Sequence, residues 1–117
     1  MSVRVFCDDP ESLLEEIRRH IRLRKITTWK IDKDGDLTHT PEQWVNLAWM
    51  APKVLEGKLV FNILGSKSKP MSKTTYGVYH GRLIEMLLTH FDLDFTRVSA
   101  TALASTGDVI PKVDEGA

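Results

Sequence analysis

The sequence contains a single cysteine, Cys7, among its 117 residues. One cysteine cannot form a disulfide within the chain and cannot provide the four thiolates of a four-cysteine zinc site. No apolar run approaches the roughly 18 residues that a membrane-spanning helix requires. The first residues, MSVRVFCDDPE, also lack the apolar segment of a signal peptide. We therefore expect a cytoplasmic protein that makes no contact with membranes.

The sequence also lacks an excess of charge of either sign, because 16 Lys and Arg residues balance 16 Asp and Glu residues. Proteins dedicated to nucleic acids usually carry a basic surplus, since contacts with phosphates supply much of their affinity. We therefore do not expect nucleic acid as the partner of this protein. Only a local basic patch could bind it.

Three common signatures of catalysis or phosphate binding are missing: a glycine-rich phosphate loop, a Gly-x-Ser-x-Gly elbow and a His-Glu-x-x-His helix. The turn from Asp32 to Asp36 has alternating aspartates, as calcium loops do. With Asp32 as the first ligand, however, the sixth position is Leu37 instead of glycine and the twelfth is Gln43 instead of glutamate. A hairpin turn is the simpler interpretation. We therefore predict no metal and no cofactor, and we expect a binding protein rather than an enzyme.

The spacing of apolar residues predicts an α+β fold in which two main helices pack on a mixed β-sheet, in the order β-α-β-β-(short α)-β-β-α-β. The predicted strands cover residues 3–6, 27–31, 37–39, 53–55, 58–64 and 94–102, and the predicted helices cover residues 10–24, 41–48 and 73–91. Thr40, Pro41 and Gln43 have the spacing of a capping box, which is the basis for the short helix. Residues 1–104 are predicted to form a single domain, and residues 105–117 a flexible tail.

Two histidines are candidate catalytic residues. His80 falls on the apolar face of the long predicted helix, where a histidine is most often a core residue with one or two hydrogen bonds. The alternative is a buried general base or metal ligand. His39 lies on the strand before the capping box and could face His80, while Asp36 or Asp92 could orient the imidazole.

Two tryptophans and two lysines are candidate ligand-binding residues. Trp44 and Trp49 could offer indole rings on which unpaired bases stack. Lys67 and Lys69 lie in a loop of glycine, serine and lysine and could add cations to the same surface. The alternative is that the tryptophans fill the core and that the loop is only a flexible connection.

Gly77 and Gly81 lie four residues apart inside the long predicted helix, where each glycine costs about 1 kcal/mol relative to alanine. Close approach of another element would offset this cost. The neighbour could be a strand or helix of the same chain, a second copy in a homodimer, or a ligand. We treat both glycines as candidate interface residues.

Three functions remain compatible with the sequence. The preferred one is a small binding or regulatory module that acts through contacts with a protein partner or with a second copy of itself. The alternatives are a small enzyme that uses His80, His39 and a carboxylate, and a nucleic-acid accessory protein that uses a local basic patch. An exposed apolar patch, a cleft shared by the two histidines, or one contiguous basic face would distinguish these functions.

Overall fold

The computed structural model describes residues 2–110, which form six strands and two helices. The strands are β1 (Ser2–Phe6), β2 (Trp29–Ile31), β3 (Leu37–His39), β4 (Ala48–Leu55), β5 (Lys58–Gly65) and β6 (Arg97–Ala100), and the helices are α1 (Pro10–Arg22) and α2 (Lys73–Phe91). The predicted α+β fold class is confirmed. Neither of the two described helices has the length and apolar character needed to cross a membrane.

All six strands form one sheet in the order β2-β3-β4-β5-β1-β6. Every pairing between these strands is antiparallel, instead of the mixed pairing expected from the sequence. Short connections join β2, β3, β4 and β5 in succession, and strands joined in this way pair antiparallel. Helices α1 and α2 each carry the chain to a strand that is not adjacent to the one it left. Neither helical connection therefore creates a parallel neighbour.

The predicted short helix of residues 41–48 is wrong, because this segment forms turns and the start of β4. Only a single helical turn forms before Asn46, whose φ of 61° lies in the left-handed region. The Asn46 backbone N–H donates to the Thr38 hydroxyl at 3.1 Å. Ala48 already pairs with Gly65. Contacts with neighbouring strands thus determine the conformation of residues that the capping box alone would place in a helix.

Both helices pack on the same face of the sheet. On β5, Leu59, Phe61 and Ile63 are fully buried in the main hydrophobic core, whereas Val60 lies outside this core. The helices contribute the core residues Leu13, Leu14, Ile17, Ile21, Tyr79, Leu83, Met86, Leu87 and Phe91. On the opposite side of the central strands, we call two adjacent rows of the strand register the helix-free face; they consist of Arg4, Phe6, Lys53, Leu55, Lys58, Val60, Arg97 and Ser99.

Residues 105–110, which belong to the predicted flexible tail, lie along the end of β5. The Val109 backbone N–H donates to the Ile63 carbonyl at 3.0 Å, and the Gly65 N–H donates to the Val109 carbonyl at 2.7 Å. These bonds satisfy backbone groups of β5 beyond Asn62, where its pairing with β1 ends. The remainder of the predicted tail, residues 111–117, lies outside the described residues.

Candidate functional site

His39 stands at the end of β3 with only 4% of its surface exposed. Its Nδ1 lies 2.7 Å from the Thr28 carbonyl oxygen. Because a carbonyl can only accept, Nδ1 carries the proton and Nε2 keeps its lone pair. Nε2 has no hydrogen-bond partner in the described part of the chain. The ring also contacts Trp29, at 4.8 Å between centroids, and Tyr79, at 6.1 Å.

Burial lowers the pKa of His39 from its ordinary value, and the hydrogen bond to Thr28 offsets only part of this effect. The positive charge of Arg82 also lowers the pKa, while the negative charge of Glu85 raises it. His39 is therefore neutral at pH 7. A neutral imidazole with Nδ1 bonded presents an acceptor, not a cation, to any molecule beside it.

A cleft of about 410 Å³ opens beside His39, between the turn after β3 and α2. This volume lies within the range usual for small-molecule sites. We call it the His39 cleft, and it is lined by Thr28, His39, Pro41, Gln43, Trp44, Arg82, Glu85, Met86, Thr89 and His90. Of the other candidate residues, Trp44 is half-buried and lines this cleft.

His80 is buried with 4% exposure, and it is not among the residues that line the His39 cleft. Its Nδ1 lies 2.6 Å from the Tyr76 carbonyl oxygen, and its ring contacts the Tyr76 ring at 4.6 Å between centroids. Both contacts lie within α2, one turn before His80. This arrangement is that of a core histidine whose Nδ1 proton is held by its own helix. A catalytic pairing of His39 with His80 stays a prediction.

Trp49 and Lys67 line a second depression, together with the three aspartates of the β2–β3 turn. We call it the Trp49 groove; its volume is about 540 Å³. Side-chain oxygens of Asp32, Asp34 and Asp36 lie within 4.8 Å of one another. Burial, followed by the neighbouring charges of the other two aspartates, raises the pKa of Asp36. Neither Lys69 nor Trp44 lines this groove.

A carboxylate of this turn serves the backbone directly. Asp32 Oδ1 accepts hydrogen bonds from the backbone N–H groups of Asp34 and Asp36, both at 2.9 Å. Gly35 adopts a φ of 84°, as a tight turn requires. These features agree with the hairpin turn predicted from the sequence, and hydrogen bonding within the turn accounts for the position of Asp32.

Gly77 and Gly81 are both exposed on α2. A Cβ atom added to either glycine would meet no other atom of the described chain within 4 Å. Close packing within residues 2–110 therefore does not require glycine at these positions. The same stripe of the helix carries Leu88, which is 52% exposed. A role in contacts between two copies remains a prediction.

The helix-free face carries a group of cations that the sequence analysis missed. Lys53 and Arg4 flank Val60 in one row across β4, β5 and β1, and Arg97 and Lys58 flank Phe6 in the next row. None of the four cations forms an ion pair within residues 2–110. The sequence pattern that could have indicated this face is the alternation in β1, where exposed Arg4 lies between two buried valines.

Phe6 lies at the centre of this cationic patch. The Arg97 guanidinium sits over the Phe6 ring, 4.3 Å from its centroid. Such a contact holds the Arg97 side chain against the sheet while its charge faces solvent.

No protein-family model, curated protein or solved structure matches this chain.

Proposed function

We propose that this protein is a binding module whose helix-free face holds an acidic segment of a partner protein. The observation that supports this proposal is the pair of cationic rows described above. Lys53, Arg4 and Arg97 are exposed, Lys58 is half-exposed, and none of them is neutralised within the described chain. The two rows contain no acidic residue. A surface of one charge sign favours partners of the opposite sign and speeds their association.

The spacing of the rows suits an extended acidic segment. Strands lie about 4.8 Å apart, so cations two strands apart in one row are separated by roughly 10 Å. The two rows are two residues apart along each strand, which is roughly 7 Å. Alternate side chains of an extended peptide have the same spacing of roughly 7 Å. Glutamates or aspartates at every second position of a partner would therefore lie over successive rows.

The aromatic residues favour a protein partner over a nucleic acid. Proteins that bind single strands combine cations with open aromatic faces on which bases stack. Here the Arg97 guanidinium already covers the ring of Phe6. Trp49 lies on the same side of the sheet, four residues before Lys53 in β4, but it lines a groove with three aspartates, which would repel phosphates of a strand stacked on it. The two cationic rows themselves thus offer no open aromatic face.

The test measures binding of a fluorescently labelled decaglutamate peptide. Decathymidylate, whose charge is similar, represents nucleic acid as the alternative ligand. The informative variant is the double substitution Arg4→Gln and Lys53→Gln, which removes one row of charge. The matched control is Arg22→Gln and Lys30→Gln, which removes two exposed cations that lie outside the patch. All titrations are repeated at higher salt, because contacts between exposed charges are screened.

We expect saturable binding of the peptide that weakens with salt and is tighter than binding of the oligonucleotide. At about 0.5 kcal/mol for each exposed contact, loss of one row should weaken peptide binding about fivefold. The control should bind like the native protein. Equal losses in both double variants would refute the assignment to the helix-free face. Tighter binding of the oligonucleotide than of the peptide would replace the protein partner with a nucleic acid.

A further inference from the structure

We infer that the His39 cleft binds a small organic acid that carries a hydroxyl group on an apolar body. This site is independent of the helix-free face. Its walls come from β3, the turn after it and α2, and it shares no residue with the cationic rows. One ligand at each site is therefore possible, and each proposal can fail without the other.

The hydroxyl group of the ligand is inferred from His39, whose Nε2 presents a hydrogen-bond acceptor. The Thr28 carbonyl holds the proton on Nδ1, so the neutral ring presents only an acceptor at Nε2. Nε2 lies on a side chain that is 96% buried and has no partner in the described chain. Nε2 itself is not among the buried atoms of the described chain that lack a partner, so it is open to solvent, and a ligand that covers it without a donor loses a hydrogen bond. A ligand that places an O–H opposite Nε2 would provide the missing donor.

The acidic group of the ligand is indicated by Arg82 at the rim of the cleft. Within residues 2–110, Nη1 is the one nitrogen of this guanidinium that forms hydrogen bonds, to the two oxygens of Glu85 at 3.1 and 3.2 Å. The other N–H groups remain available, and Arg82 is 54% exposed. Its contact with Glu85 is a surface ion pair of the kind that contributes little. A carboxylate on the ligand can therefore bind the free side of the fork.

The apolar body of the ligand is indicated by the remaining walls. Pro41, Trp44 and Met86 contribute apolar side chains to the wall of the cleft. Trp44 and Met86 also belong to or pack against the hydrophobic core, which holds these walls in place. The lining of the cleft is about equally polar and apolar, so it offers an apolar wall beside fixed polar groups, as small-molecule sites do. An aromatic or short aliphatic acid would suit this combination.

The test uses two probe molecules that differ by one group. The first is 4-hydroxyphenylacetate, and the second is phenylacetate, which lacks the hydroxyl. Each is titrated into labelled protein while the His39 ring and Trp44 indole resonances are followed by NMR. We expect saturable shifts with 4-hydroxyphenylacetate and a Kd on the order of 1 mM, as is usual for a fragment of this size. Phenylacetate should bind about tenfold more weakly, because it leaves Nε2 without a donor.

Two variants assign the contacts. Arg82→Gln changes an exposed side chain and should weaken both probes, while Arg22→Gln on α1 should change neither. His39→Gln should remove the difference between the two probes. If this buried substitution prevents folding, the comparison of the two probes on the native protein still tests whether the hydroxyl contributes to binding. Absence of saturable shifts, equal affinity for both probes, or an unchanged affinity in Arg82→Gln would each overturn the inference.

Discussion

The two tyrosines of α2 provide a sharp test of how this structure is held together. Tyr79 is fully buried, and its hydroxyl donates to the Trp44 carbonyl and lies 3.1 Å from the Thr38 hydroxyl. This contact joins α2 to the turn between β3 and β4. The substitution Tyr79→Phe keeps the ring but leaves the carbonyl of Trp44 without this donor. We expect the free energy of unfolding to fall by about 1–2 kcal/mol.

Tyr76 is the matched control within the same helix. Its hydroxyl oxygen is buried but has no hydrogen-bond partner in the described chain, and burial raises its pKa. Removing an unpaired buried hydroxyl should cost nothing, so Tyr76→Phe should leave stability unchanged or raise it slightly. The measurement is urea unfolding followed by circular dichroism, with thermal midpoints as a second readout. Tyr79→Phe should lower the thermal midpoint by roughly 4–8 °C. Equal losses in the two variants, or no loss in Tyr79→Phe, would refute the hydrogen-bond assignment.

Two further predictions concern single residues. Gly77→Ala should raise the free energy of unfolding by up to about 1 kcal/mol, because the site is helical, exposed and open; a loss of stability, or a changed sedimentation coefficient, would show that another surface covers this glycine. His39 should make stability depend on pH, because its pKa is lower in the folded state than the ordinary value of about 6.5. The free energy of unfolding should therefore be highest above the ordinary pKa and should decline as the pH falls towards the pKa of the folded state. The charges that face His39 are those of Arg82 and Glu85 on α2. Urea unfolding at pH 7.5 and pH 5.5 would measure the decline, and a difference in stability that is equally large in His39→Gln would contradict this assignment.

Elements with strong local signals could be predicted from the sequence. The Asp9 side chain accepts from the Ser12 backbone N–H at the start of α1, and Ser72 accepts from the Thr75 N–H at the start of α2. In both helices the apolar spacing and the cap lie within a few residues of one another. The α2 bounds agree with the prediction, and α1 ends at Arg22, two residues before its predicted end. Interactions between neighbouring residues are enough to determine such elements.

The segment after β3 could not be predicted, because partners distant in the sequence decide its conformation. The Thr40 hydroxyl donates to the Thr27 carbonyl instead of capping a helix. Trp49, in the next strand, pairs with Leu64 of β5. The surroundings of His39 have the same origin, since Tyr79 and Arg82 reach it from α2, about 40 residues further along the chain. No local pattern in the sequence identifies these neighbours.

The cationic patch illustrates how a balanced composition can hide a segregated surface. The 16 positive and 16 negative side chains cancel in the sum, but strand register decides on which face each one lies. Val3 and Val5 are fully buried, and burying a valine contributes about 1.5–3 kcal/mol. A slip of one residue in β1 would expose both valines and bury Arg4. The hydrophobic effect that fixes the register of the sheet therefore also directs Arg4 to the helix-free face, and the same alternation places Lys58 there from β5.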